Sequence, residues 1–128
     1  MVGKLVFAVI ALSVTGSVFA GGYSRPVVMT GETQMADTAE LRFDPAPADT
    51  GSLVVLGDHT NTPQQTYRFV YNVPAVSPNA VNPPVNISFT DKQTLTILCD
   101  RLSDICRSTN YVTVGNTTFS MSWKVTQR

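Results

Sequence analysis

The chain has 128 residues and a formal net charge of +0 at pH 7, with nine Lys and Arg against nine Asp and Glu. The basic residues are scattered singly, which excludes nucleic acid and anionic membrane surfaces as expected partners. Hydrophobic residues make up 43% of the sequence, so a disordered chain is excluded as well.

The first twenty residues predict a secretory signal peptide. Lys4 precedes an apolar run from Leu5 to Val14, and a small residue, Ala20, stands where a signal peptidase requires one. A run of about ten apolar residues is too short to cross a hydrocarbon layer about 30 Å thick. We therefore expect a secreted or periplasmic protein whose mature chain begins at Gly21, with no membrane insertion after cleavage.

Apolar side chains at every second position predict β-strands along residues 21–128, which we expect to form a single domain. Three segments show the alternation clearly, and four shorter ones fit it. The three are YRFVYNV (67–73), VNISF (85–89) and TLTILC (94–99), and the four are 27–30, 41–43, 53–56 and 111–114.

The C-terminal segment TTFSMSWKVTQ (117–127) has the strictest alternation. A single strand there would place its large apolar groups on one face and Lys124 on the other. Gly115 and Asn116 precede the segment and predict a tight hairpin turn, because both residue types tolerate a positive φ. The residues predicted to face inward are Phe119, Met121, Trp123 and Val125.

The fold class expected from these segments is all-β. Seven or eight strands spaced about ten residues apart predict an antiparallel β-sandwich of immunoglobulin-like or pilin-like shape, and the alternative is a small β-barrel. The proline-rich segment 73–84 lacks four backbone donors, so we expect it to cross outside the sheets from one sheet to the other.

The two cysteines, Cys99 and Cys106, are predicted to form a disulfide across the mouth of a β-hairpin. Cys99 ends a predicted strand and Cys106 begins the return, and no third thiol competes in an oxidising compartment. Zinc would need about four ligands, and the chain adds only His59 to the two thiols. A thioredoxin-like redox site would need two intervening residues rather than six.

The segment between and just after the cysteines is the candidate binding site. A constrained loop loses little entropy on binding, so a charged loop at residues 100–105 suits recognition. The alternative is an ordinary solvated hairpin end. The candidate residues are Asp100, Arg101, Asp104 and Arg107.

The sequence predicts no catalytic residues, no cofactor and no metal, and hence no enzyme. His59 is the only histidine, it lies in a polar segment, and no Gly-x-Ser-x-Gly motif occurs. The acidic residues are dispersed; Asp44, Asp49 and Asp58 would have to converge through loops to bind calcium or act as a pair.

Asn86 and Asn116 fit the acceptor pattern for N-glycosylation. The short signal peptide and the single cysteine pair are typical of a bacterial protein, in which we expect both asparagines to stay unmodified. The sequence leaves their modification open.

Four aromatic residues at strand spacing have two interpretations. They would either stack on a sugar or pack in the core, and we expect the core because aromatic residues at strict strand spacing are usually buried. They are Tyr67, Phe69, Tyr71 and Trp123.

The last fourteen residues resemble the terminal strand of subunits of bacterial chaperone-usher fimbriae. Those subunits end in an alternating apolar strand with a glycine fourteenth from the C-terminus, the position of Gly115, and an aromatic residue next to last, where this chain has Gln127. The resemblance implies a part in subunit assembly. It covers only this segment, so we do not assign the chain to the family on it.

The expected function is binding rather than catalysis. We expect a secreted or periplasmic binding or assembly module with a protein or glycan partner, of which a fimbrial-like surface subunit would be one form. The alternative is a small periplasmic inhibitor of a hydrolase or lysozyme, in which loop 100–105 enters the active site of the target enzyme.

Overall fold

The computed structural model describes residues 21–77 and 79–128, and within them it consists of strands, turns and loops without a helix. The predicted signal peptide lies outside the described residues. No helix in the described part of the chain has the length and hydrophobicity needed to span a bilayer. The ten strands are β1 (Val27–Glu32), β2 (Thr38–Phe43), β3 (Thr50–Val55), β4 (Gln65–Asn72), β5 (Pro84–Phe89), β6 (Thr94–Asp100), β7 (Ile105–Ser108), β8 (Val112–Val114), β9 (Thr117–Phe119) and β10 (Ser122–Gln127).

Eight of the strands form a closed antiparallel barrel in the order β1-β10-β7-β6-β5-β4-β3-β2. Neighbours in the barrel follow one another along the chain with two exceptions: the hairpin β8–β9 is inserted between β7 and β10, and β10 pairs with β1. The first and last barrel strands close the sheet, with Met29 opposite Val125 and Thr30 opposite Lys124. The all-β class and the alternative of a small barrel are confirmed, and the predicted sandwich is wrong.

The proline-rich segment 73–83 joins two adjacent strands instead of crossing between sheets. β4 and β5 pair directly, with Phe69 opposite Phe89 and Tyr71 opposite Ile87. The predicted exclusion from the sheet fails at its end, because Pro84 is the first residue of β5 and Pro83 O accepts the Cys99 N–H at 3.0 Å. A proline without an N–H is tolerated at the first residue of a strand. The predicted crossing was wrong because it depended on a second sheet.

The C-terminal segment forms two strands rather than the one predicted. Its backbone changes neighbours at the break, since Ser120 N–H donates to Glu32 O and Met121 O accepts from Ser108 N–H, both at 2.9 Å. Phe119 and Trp123 are buried as predicted, with their ring centroids 6.1 Å apart, and Val125 is half-buried against the core. Met121, at the break, is half-buried and does not join the core, so its predicted inward position is wrong. The turn between β8 and β9 contains Gly115 at φ +61°, as the sequence predicted.

The core is the barrel interior, filled by every second residue of the strands. An eight-stranded barrel has an interior just wide enough for side chains to fill it, and burying one large apolar side chain contributes about 1.5–3 kcal/mol. The largest fully buried side chains are Trp123, Phe43, Phe119, Met29, Leu41, Leu53, Ile87, Ile97 and Cys106.

The two ends of the barrel carry different loops. We call the end formed by residues 21–26, 44–49, 73–77, 79–83, 101–104 and 128 the disulfide end. The opposite end, formed by 33–37, 56–64, 90–93 and 109–121, is the hairpin end.

Candidate functional site

The predicted disulfide is present, between Cys99 on β6 and Cys106 on β7. The two residues are directly opposite each other, and Cys99 N–H donates to Pro83 O at 3.0 Å, away from β7. The cysteines therefore occupy a non-hydrogen-bonded pair, the position at which opposing side chains lie closest. Cys106 is fully buried and Cys99 half-buried. A structural disulfide indicates an oxidising, extracytoplasmic compartment.

The turn that joins β6 to β7 is held by its own hydrogen bonds as well as by the disulfide. Asp100 Oδ1 accepts the Leu102 N–H at 2.8 Å, and Asp100 O accepts the Asp104 N–H at 3.0 Å. The Leu102 N–H is the main reason why the pKa of Asp100 lies below its usual value. Asp104 O accepts the Val125 N–H of β10 at 2.8 Å, which ties the turn to the next strand.

The four predicted binding residues do not form a single group. Asp100, Arg101 and Asp104 line a cavity at the disulfide end. Asp104 also makes an ion pair with Arg128. Arg107 is exposed on β7, on the outer wall of the barrel, between Leu98 and Ser122 of the neighbouring strands.

The most exposed apolar side chain of the turn was missed by the sequence analysis. Leu102 is 91% exposed, although Leu95 on β6, the strand that leads into the turn, is buried. An apolar residue inside a charged four-residue turn, between two predicted strand ends, is the signal that could have identified it.

The cavity at the disulfide end has a volume of about 180 Å³ and lies in the mouth of the barrel. Its inner wall is apolar and comes from two separate parts of the barrel, through Val27 and Met29 of β1 and Val85 of β5. The mouths of β-barrels are common places for ligand sites.

Two carboxylates at the hairpin end connect the loop before β2 to the loop after β3. Asp37 accepts the N–H groups of His59 and Thr60 at 2.8 and 3.0 Å, and the Thr60 hydroxyl at 2.7 Å. Asp58 accepts the N–H and hydroxyl of Thr38 at 2.8 and 2.6 Å. We call this reciprocal arrangement the carboxylate clamp.

The clamp lowers the pKa of both carboxyl groups. The main cause is the Thr60 hydroxyl for Asp37 and the Thr38 hydroxyl for Asp58. The sequence analysis missed Asp37, which is 4% exposed and holds a loop more than twenty residues away. The side chain of His59 is exposed, and its hydrogen bond to Asp37 comes from the backbone N–H.

The dispersed acidic residues do not converge. Asp44 and Asp49 lie at the disulfide end, whereas Asp58 lies at the hairpin end. Among residues 21–77 and 79–128, no group of three or more His, Cys, Asp and Glu is placed to hold a metal ion.

The aromatic residues predicted for the core are found there. Phe69, Tyr71 and Trp123 are buried and Tyr67 is half-buried, so the interpretation as core residues is confirmed.

The two candidate glycosylation asparagines differ in their surroundings. Asn86 is half-buried on β5 and its Oδ1 accepts the Thr96 hydroxyl at 2.9 Å, while Asn116 is exposed in the turn between β8 and β9.

Comparison with protein-family models, with curated proteins and with solved structures found no match to this chain.

Proposed function

We propose that this chain is a secreted or periplasmic, non-catalytic binding module that recognises a protein partner through the tip of the β6–β7 turn. The observation that carries the proposal is Leu102, whose side chain is 91% exposed on a turn closed by a disulfide. Burial of a leucine side chain is worth about 1.5–3 kcal/mol, so an exposed one on a projecting turn suits an anchor for a partner.

The rigidity of the turn supports this role. The disulfide joins the two ends of the turn, and the Asp100 carboxylate accepts the Leu102 N–H. Asp104 accepts the Val125 N–H through its backbone oxygen and forms an ion pair with Arg128 through its side chain. A loop that is ordered before binding avoids about 0.5–1.5 kcal/mol for each side chain that would otherwise be immobilised on association.

Charges surround the apolar tip. Asp100, Arg101 and Asp104 lie on the turn, and Arg107 is exposed on the adjacent strand. An apolar centre with a charged surround is the usual arrangement of a protein interface, in which the charges set partner choice and association rate.

An inhibitor of an extracytoplasmic hydrolase or lysozyme is the narrower form of this proposal. Entry into an active-site cleft needs a projecting, ordered loop with one side chain at its tip, and the β6–β7 turn with Leu102 has that shape. Fimbrial assembly by strand exchange has no such support, because β10 pairs with both β1 and β7 in the described chain.

Site-specific photo-crosslinking in the producing cell tests the binding site. A photoreactive amino acid at Leu102 should give a discrete adduct with one protein, and the same amino acid at Met35, which is 69% exposed at the hairpin end, should not. The adduct at position 102 should disappear in a Cys99→Ala/Cys106→Ala variant that still folds. A discrete adduct only from position 35 would contradict the proposal.

The inhibitor form has its own test. The purified protein and its Leu102→Asp variant are assayed against a panel of lysozymes, peptidases and glycosidases. Inhibition of one enzyme by the wild type, lost in the variant at unchanged thermal stability, supports the inhibitor. Equal inhibition by both proteins would show that the turn is not the inhibitory element.

A further inference from the structure

The cavity in the barrel mouth is a separate feature from the exposed tip of the turn. Its volume of about 180 Å³ exceeds that of an apolar cavity of about 150 Å³, which is known to hold benzene. Its inner wall includes Val27, Met29 and Val85, which are 5%, 1% and 2% exposed, so the wall is rigid and apolar. A benzene-sized ring with one small substituent would fill it.

Two side chains at the mouth of this cavity, Arg128 and Tyr23, offer hydrogen-bond donors. The carboxylate of Asp100 is engaged by the Leu102 N–H, and that of Asp104 by Arg128. The guanidinium of Arg128 has five N–H donors, of which the ion pair uses only part. Tyr23 also lines the cavity, and its hydroxyl forms no hydrogen bond to any residue in the described ranges.

Tyr23 is positioned before any ligand arrives. Its N–H donates to the Tyr71 hydroxyl at 2.9 Å, and its ring lies edge-on to Phe43 with centroids 5.4 Å apart. Burial raises the pKa of Tyr23 to about 12, so the phenol keeps its proton at neutral pH and can donate it. The mouth charges come from two aspartates and two arginines, Asp100, Asp104, Arg101 and Arg128, so their formal sum is zero and a neutral acceptor suits the site.

We propose that the barrel mouth binds a small neutral amphipathic molecule, with a ring-sized apolar body against Val27, Met29 and Val85 and a carbonyl-type acceptor at Tyr23 and Arg128. Leu102, the proposed anchor for the protein partner, does not line the cavity, whereas Asp100, Arg101 and Asp104 of the same turn do, so a change confined to the Leu102 side chain distinguishes the two proposals.

Cyclohexanone and methylcyclohexane are suitable probes, since they share ring size and heavy-atom number and differ in the acceptor. The full sequence is expressed into an oxidising compartment, and the purified protein is titrated while its methyl NMR signals are recorded. Both probes should shift the signals of Val27, Met29 and Val85 saturably. The signal of Val70, on the outer wall and 49% exposed, should not move.

Two variants separate filling of the cavity from the polar contact. Val125→Phe fills the mouth and should lower the affinity for both probes at least ten-fold. If Val125→Phe does not fold, Val73→Phe is used in its place. Val70→Phe is the matched control and should change neither affinity. Tyr23→Phe should weaken cyclohexanone by about two- to ten-fold, the range for one net hydrogen bond, and leave methylcyclohexane unchanged.

The site is overturned if millimolar cyclohexanone leaves the Val27, Met29 and Val85 signals unshifted in the wild-type protein. It is also overturned if a folded filling variant binds as the wild type does. An equal effect of Tyr23→Phe on the affinities for the two probes would overturn the proposed hydrogen bond between Tyr23 and the ligand's acceptor. Leu102→Asp should leave the affinities for both probes unchanged. A failure of the ligand site can therefore be distinguished from a failure of the protein-binding role.

Discussion

The indole of Trp123 on β10 lies against the backbone of Gly31 on β1. A Cβ added at Gly31 would come within 2.6 Å of Cε3 of the indole, closer than real Cβ atoms approach another atom. Trp123 is 2% exposed, and β1 and β10 are the two strands whose pairing closes the barrel. Glycine at position 31 therefore allows the largest core side chain to sit at the point of closure.

Gly31→Ala should destabilise the protein. The added methyl group forces the indole or the strand to move, and overpacking of this kind costs about 1–3 kcal/mol. The midpoint of urea unfolding measures the loss. Gly21→Ala is the control, because a Cβ at Gly21 meets nothing within 4 Å. Equal midpoints for the two variants would contradict the close packing of Gly31 and Trp123.

Trp123→Ala should destabilise by about 3–5 kcal/mol, because it empties a buried aromatic site. Lys124→Ala, one residue further on, changes an exposed side chain and should stay within about 0.5 kcal/mol of the wild type. Circular dichroism follows unfolding in both, since Trp123 is the only tryptophan. The wild-type tryptophan emission should be blue-shifted; emission at the wavelength of water-exposed tryptophan in the folded protein would show that this side chain is not in the core.

Removal of the disulfide should lower stability by roughly 2–3 kcal/mol on the chain-entropy model for a loop of about eight residues. The variant Cys99→Ala/Cys106→Ala is compared with the wild type by urea unfolding. The denatured, unreduced wild type should contain no titratable thiol, because Cys99 and Cys106 are joined within one chain. Two titratable thiols would be incompatible with this bond.

The carboxylate clamp should make the protein sensitive to acid. The pKa values of Asp37 and Asp58 are lowered from 3.8 in the folded protein, so the unfolded chain takes up protons first as the pH falls. The stabilisation is fully present above about pH 4 and is lost as the pH falls through the folded-state pKa values. Urea unfolding midpoints measured from pH 6 downward should fall most steeply below about pH 4.

Asp37→Asn/Asp58→Asn should reduce the slope of that acid loss, because the two shifted groups no longer titrate. Asp91→Asn is the control, since this carboxylate lies in the β5–β6 turn and accepts the Gln93 N–H, away from the clamp. If the double variant and the control showed the same acid slope as the wild type, the clamp would not be a source of acid sensitivity.

His59→Ala should change stability by less than about 0.5 kcal/mol. Only the backbone N–H of His59 binds Asp37, and alanine keeps that group. Asp37→Ala, by contrast, removes an acceptor used by two N–H groups and one hydroxyl and should be clearly destabilising. Thermal unfolding distinguishes the two variants; a large loss in His59→Ala would assign a structural role to the imidazole.

Local patterns were sufficient for most of the strands and for the disulfide. Alternation identified the segments that became β4, β5 and β6, and it put Phe69, Ile87 and Trp123 on the buried face. Side chains of a strand alternate between its two faces whatever the strand pairs with, so burial of one face can be read from sequence. The pairing of Cys99 with Cys106 needed only a hairpin of seven residues' separation, which is also a local property.

Closure of the sheet was decided only by tertiary structure. A sandwich and a barrel bury the same alternate positions, and they differ in whether the first strand meets the last, as Met29 meets Val125 nearly a hundred residues later. The break at Ser120 and Met121 arises in the same way, because the two residues bond to strands on opposite sides.

For the two candidate sites, too, some features follow from local sequence and others only from tertiary structure. The sequence by itself determined that loop 100–105 is short, charged and closed by cysteines, because these features lie next to one another along the chain. The exposure of Leu102, the clamp at Asp37 and the meeting of Tyr23, Val85 and Arg128 around one cavity are decided by the barrel. Groups that are distant in sequence become neighbours only when the sheet closes, since no local pattern encodes the partner of a strand edge.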